Sequence, residues 1–252
     1  MPRRNRSKTA RPVALALMAL ALSVGVLLSS CVTSIGGTVG SGTAKTETRN
    51  VSGFTGVTFS GVGTLNITQT GTESLTVSAD DNLLPLLTST VTNDTLTLGV
   101  KPGNAIHPTK PIVYTLTVKS LNNMTLSGAG TINATNVTTN ALHVILSGAG
   151  AIKATNITAS ALNVALSGAG SMTISGRAPS QTAVVSGIGA YNARNFPTDS
   201  AQMTISGAGS ATITVNKTLT AVVSGAGSVT YYGSPSQVTK TISGSGSIKQ
   251  GS

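Results

Sequence analysis

Beyond the first thirty residues, few groups in this chain can trade protons, attack a substrate or hold a metal. They are Glu47, Glu73, Asp80, Asp81, Asp94, Asp199, His107, His143 and Cys31. Cleavage of a polysaccharide needs two carboxylates across a groove, or a carboxylate with Arg or Lys beside it. Asp80-Asp81 is the one close pair of acids, and neighbours along a strand point to opposite faces. The pair therefore reads as a turn or cap. His107 sits in a proline-flanked loop, and His143 lies between Leu142 and Val144, which turns its ring to solvent. Two histidines without placed carboxylates make no zinc site. The inventory predicts no catalytic residue, no metal and no cofactor. Tyr231-Tyr232 is the single aromatic doublet, with one ring expected in the core and one at the surface.

Ser-Gly-x-Gly occurs eight times, beginning at Ser60, Ser127, Ser147, Ser167, Ser186, Ser206, Ser224 and Ser243, and from Ser127 on the steps are 20, 20, 19, 20, 18 and 19 residues. These units lack the third glycine and the following helix that a dinucleotide phosphate requires. They also lack the aspartates of calcium-binding glycine-rich coils. A fixed period near twenty instead marks a solenoid. One residue before each serine stand Phe59, Leu126, Leu146, Leu166, Val185, Ile205, Val223 and Ile242. Three before stand Val57, Met124, Val144, Val164, Ala183, Met203 and Ala221, with Lys240 breaking the rule. Five after stand Leu65, Ile132, Ile152, Met172, Tyr191, Ala211, Val229 and Ile248, and seven after stand Ile67, Ala134, Ala154, Ile174, Ala193, Ile213 and Tyr231. Spacing of two on each side of the motif predicts strands with alternate residues inward.

Each repeat thus reads as strand, Ser-Gly-x-Gly bend, strand and polar turn, stacked coil on coil about 4.8 Å apart. The glycines supply positive φ or close backbone approach. The residue between them is expected to point inward, and the serines to stack as a ladder. Before the regular repeats, strands are expected near 55–59, 64–69, 73–79, 95–100 and 112–118, with a hairpin turn at Asn93-Asp94 and a loop from Lys101 to Pro111. A short helical turn is expected at Asp80–Leu84. This part is expected to form longer coils that cap one end of the stack.

Arg3, Arg4, Arg6, Lys8 and Arg11 precede an apolar run from Val13 to Leu28, which is 16 residues long and ends in Leu28-Ser29-Ser30-Cys31. The run suits a signal peptide better than a membrane span. Its end resembles a bacterial lipobox, so residues 1–30 read as a lipoprotein signal peptide and Cys31 as the lipidation site that holds the protein to the membrane. Cys31 is the sole cysteine, so no disulfide forms within the chain. The formal charge of +10 falls to 11 − 6 = +5 once the five leader cations are set aside, and the remaining bases are scattered. Nucleic acid is therefore not an expected partner. Residues 31–49 read as a flexible Gly/Ser/Thr tether, and 50–252 as one β domain.

The segment from Val51 to Ile67, followed by Leu75-Thr76-Val77 and Asp80–Leu84, resembles the family called "putative auto-transporter adhesin, head GIN domain". The Ser-Gly-Ala-Gly rungs and Gly130-Thr131-Ile132-Asn133 fit the same pattern. The resemblance covers about residues 50–250. It implies an all-β fold, a right-handed single-stranded parallel β-helix with about 18–20 residues per coil, on an exported bacterial protein that is often a lipoprotein. No catalytic residues come with it. The leading expectation is a non-enzymatic, lipid-anchored envelope protein that presents its β-helix to a glycan or an envelope protein, at the outer membrane because Val32 follows the lipobox. A polysaccharide-processing enzyme using Asp80 or Asp81 is the alternative, and an assembly scaffold with an open last rung is a third.

Overall fold

The computed structural model describes residues 36–252. The signal peptide read over 1–30 and the lipidation site Cys31 lie outside the described residues. The compact unit runs from Gly37 to Ser252 and is a parallel β-solenoid, with one short 3-10 turn at Leu84–Leu86.

Two long parallel ladders run along it. One stacks Thr95–Val100, Gly56–Phe59 and Asn123–Leu126, then residues 143–146, 161–166, 180–185, 200–205, 218–223 and 237–242. The other stacks Val113–Val118, Thr64–Gln69 and Thr131–Thr135, then residues 151–155, 171–174, 190–193, 210–214, 228–232 and 247–250. The columns read from sequence line the core: Phe59, Leu126, Leu146, Leu166, Val185, Ile205 and Val223 are buried, as are the residues three before and five after the serines up to the outermost rung. Burying one such aliphatic side chain contributes about 1.5–3 kcal/mol, so the stacked columns dominate stability.

The Ser-Gly-x-Gly corner differs from expectation at its centre. Ala129, Ala149, Ala169, Ile188, Ala208 and Ala226 point outward, and Ile188 is 71% exposed. The glycines are the inward positions. A Cβ on Gly148 would fall on the Gly128 carbonyl oxygen, and one on Gly150 would fall on the Gly130 carbonyl oxygen and lie 2.9 Å from Leu126 Cδ2. Close approach of stacked backbones is thus the reason for glycine in the regular rungs; positive φ occurs within the motif only at Gly63 and Gly244. The serines stack through their backbone: the Ser147 N–H donates to the Leu126 carbonyl at 3.0 Å and the Ser167 N–H to Leu146 at 2.9 Å.

Rung order does not follow chain order. Residues 70–122 leave the stack and return, placing the strands Thr95–Val100 and Val113–Val118 on the far side of the rung that holds Ser60. That rung consequently lies directly against the rung of Ser127, with Phe59 opposite Leu126. Antiparallel strands finish this end: Leu87–Thr92 pairs with Thr95–Val100, and Ser74–Asp80 pairs with Val113–Val118. Asn93 and Asp94 both have positive φ, 49° and 56°, as a two-residue hairpin turn requires. The strand Leu87–Thr92 was not foreseen.

The flexible tether expected over 31–49 does not hold for its described residues, 36–49. Thr38–Val39 pairs with Ile106–His107, and Ala44–Arg49 forms an antiparallel edge strand on Ser74–Asp80. The strap is polar because it lies on an edge and is largely exposed, so it carries no core signal. Asp80 holds it in place. Its buried carboxylate accepts the Gly42 N–H at 2.8 Å, the Thr109 hydroxyl at 2.6 Å, the Thr109 N–H at 2.9 Å and the Lys110 N–H at 3.0 Å. Burial by itself would raise this carboxyl, but the four hydrogen bonds outweigh it and hold the group at about 2.

At the opposite end, Gln237–Ile242 and Ser247–Gln250 each pair on one side only among the described residues. Lys240, the exception in its column, lies with Nζ 4.9 Å from the centre of the Tyr231 ring. It covers the core there, and a charge at an inward position of an edge strand disfavours further strand pairing. Ile242 on the same strand is 47% exposed.

Candidate functional site

A groove of about 790 Å³ runs across the side of the solenoid away from the Ser-Gly-x-Gly corner. Two residue columns build it. Ser120, Asn140, Ser160, Pro179 and Asp199 occupy successive rungs just before the first ladder, and Thr138, Thr158 and Arg177 form the second column, with Pro197 also in the lining.

Coil length shapes this surface. Asn136 and Asn156 turn the two preceding coils in the left-handed conformation, with φ 58° and 55°, and the Asn156 Nδ2 donates to Asn136 Oδ1 at 2.7 Å. The next coil is one residue shorter. Thr155 and Asn156 face Ser175 alone, because Ala154 pairs with Ile174 and Ile157 with Gly176. Gly176 makes that turn at φ 136°, and a Cβ there would fall on the Ile157 carbonyl oxygen. The β-bulge re-aims the residue after it, and that residue is Arg177. Pro179 ends the turn, with its carbonyl accepting from both the Asp199 and Ser200 N–H groups at 3.0 Å.

Charge in the groove is uneven. Asp199 receives a hydrogen bond and an ion pair from Lys217 at 2.8 Å. Arg177 has no acid within ion-pair distance among the described residues. Ser120 also borders a smaller hollow lined by Phe54, Glu73 and Lys119. Burial there acts to raise the Glu73 carboxyl, but the Phe54 N–H, Lys119 and the Gly53 N–H bring it below its ordinary range. Lys119 lies 3.3 Å from it.

The residues singled out for chemistry do not converge here. Asp80 is consumed by the strap, and Asp81 accepts the Ser41 hydroxyl. His107 and His143 are both exposed, on the Ile106–His107 strand and on the first ladder respectively. Among the described residues no three His, Cys, Asp or Glu side chains come together. Tyr231 is buried, while Arg194 lies 4.0 Å over the ring of its neighbour Tyr232. Sequence reasoning missed Arg177 and the Asp199–Lys217 pair. Their signal was the drop from a 20- to a 19-residue step, together with prolines at 179 and 197.

The chain is thus a parallel β-solenoid with a polar lateral groove. The chain belongs to the family "putative auto-transporter adhesin, head GIN domain", whose model matches residues 53–235. Among solved structures it is similar to a putative adhesin from Bacteroides fragilis, with 27% identity over 85% of this chain and 100% of that one and a TM-score of 0.82. It also shares its fold with a putative lipid binding protein from Parabacteroides distasonis, at 23% identity, 85% and 99% coverage and a TM-score of 0.72. A putative adhesin from the same species gives 23%, 86%, 100% and 0.69. No curated protein matches the chain.

Proposed function

We propose that this is a non-enzymatic, lipid-anchored protein of the bacterial envelope that binds a glycan or envelope polymer in the lateral groove. The observation that carries the reading is the groove itself. Hydroxyl and amide side chains recur on successive rungs, while the backbone beneath them is engaged in the ladder. The membership in an adhesin family supports a binding role. The acids speak against glycoside hydrolysis: Asp199 is the single carboxylate lining the groove and is paired with Lys217, where hydrolysis of a glycosidic bond needs two.

Filling the groove tests this. Ser160 is exposed, so Ser160→Trp blocks the cleft without touching the core. On an array of glycans and purified envelope polymers, the protein is expected to retain at least one polymer, and Ser160→Trp to weaken that binding by about tenfold or more. Thr173→Trp, on the opposite ladder, is expected to leave it unchanged. Equal losses from both variants, or no bound polymer at all, would sink the proposal.

Export and anchoring rest on the leader and Cys31. Cys31→Ser is expected to abolish the lipid mass increment and move the protein from the membrane to the soluble fraction. An unchanged mass and fractionation would remove the anchor.

A further inference from the structure

Building on the reading of the groove as a glycan-binding face, we infer that its ligand is an acidic polysaccharide and that Arg177 engages the polymer's carboxylate. Arg177 interrupts a column that holds threonine in the two preceding coils, and the short coil with Gly176 at positive φ turns it there. The other acid–base pair of the groove is internally compensated, so the guanidinium is its one uncompensated charge among the described residues. A guanidinium presents a planar fork of donors that matches a carboxylate with two parallel hydrogen bonds.

Charge along the chain points the same way. Residues 36–119 hold Lys45, Arg49, Lys101, Lys110 and Lys119 against Glu47, Glu73, Asp80, Asp81 and Asp94, which gives 5 − 5 = 0. Residues 120–252 hold Lys153, Arg177, Arg194, Lys217, Lys240 and Lys249 against Asp199 alone, which gives 6 − 1 = +5. The whole excess charge of the fold sits on the regular coils that carry the groove, and such a surface concentrates anions.

A polysaccharide fits better than an extended peptide. A peptide binding by strand addition needs free backbone donors and acceptors, and here they are spent between rungs; the Thr158 N–H, for example, donates to Val137 at 2.8 Å. What the groove offers is a row of side-chain hydroxyl and amide groups, Ser120, Asn140 and Ser160, at the rung spacing of about 4.8 Å. Pro179 and Pro197 line the groove together with Arg177.

The test measures binding of the purified full-length protein to polygalacturonate and to its carboxyl-reduced, neutral counterpart, at low and physiological salt. The unsubstituted protein is compared with R177Q, R177K and K153Q, since Lys153 is exposed and outside the groove lining. The acidic polymer is expected to bind more tightly, R177Q to lose about tenfold or more, R177K to lose less, and K153Q to stay within about twofold. Equal binding of the two polymers with a silent R177Q overturns the acidic ligand and leaves the groove standing. Equal losses in R177Q and K153Q replace the Arg177 contact with diffuse attraction and overturn it too. If neither polymer binds while Ser160→Trp still abolishes retention of another polymer, this inference alone fails; if Ser160→Trp is also silent, the groove reading fails with it.

Discussion

Replacing Gly148 by alanine is expected to destabilise the solenoid by about 3 kcal/mol or more, at the upper end of what overpacking costs. One methyl group does this because the new Cβ has two backbone oxygens in its place. It would fall on the Gly128 carbonyl oxygen and lie 2.8 Å from that of Ser127. Neither oxygen can turn away, since both belong to the rung below, whose position is fixed by the ladders on each side. The Ser147 and Ala151 N–H groups donate to Leu126 and Gly130 at 3.0 and 3.1 Å, pinning the corner from both flanks. Alanine also lowers the entropy of the unfolded chain, which favours folding by about 0.4–1 kcal/mol, and the clash exceeds this. The contrast is the neighbour: Ala149→Ser, at an outward position, is expected to stay within about 0.5 kcal/mol. Urea unfolding of the three proteins checks both; similar midpoints for Gly148→Ala and Ala149→Ser would refute the packing account.

Asp80→Asn is expected to release the strap. Four donors converge on the carboxylate, two on each oxygen. An asparagine keeps one acceptor oxygen and turns an NH2 toward the remaining donors, so two of them lose their partner in a buried place. The Gly42, Thr109 and Lys110 amides are expected to exchange with solvent about tenfold faster or more. Residues 123–223 should keep their protection, because their ladders do not pass through Asp80. The variant should also melt at lower temperature, and the deficit depends on pH. The folded carboxyl titrates at about 2, below its ordinary 3.8. Its stabilising contribution is therefore whole above the ordinary value and is lost as pH falls through about 4 to 2. Glu73, also held low, titrates in both proteins and cancels in the comparison. The melting-temperature gap between the two proteins should narrow from about pH 5 to pH 2; a gap that stays constant would show that the charge is not what holds the strap.

The core columns were legible because a residue's face in a strand depends only on its parity. From Leu126 inward, the parity runs unbroken through the motif: Ser127 out, Gly128 in, Ala129 out, Gly130 in, Ile132 in after Thr131. Placing Ala129 inward for its small apolar side chain ignored that count. The glycines take the inward places since nothing larger than hydrogen fits between stacked carbonyls. Asn93-Asp94 was legible for a similarly local reason, as a turn that tolerates positive φ at both residues.

The strap and the groove were not legible. Ala44–Arg49 is an exposed edge strand whose polar residues look like a linker, and its partner lies thirty residues on. Arg177 looks like one more scattered base until the short coil turns it beside Pro179 and Pro197.

The sequence by itself determined a β-solenoid and the residues that fill it, because period two and a twenty-residue repeat are local properties that every coil restates. Only the tertiary structure decided which coils touch. The rung of Ser60 sits beside that of Ser127 because residues 70–122 leave the stack and fold back over its end, a closure that pairing between distant strands sets. The same stacking brings Thr158, Arg177 and Asp199 from successive coils onto one wall, and makes a groove from residues that have no motif in the chain.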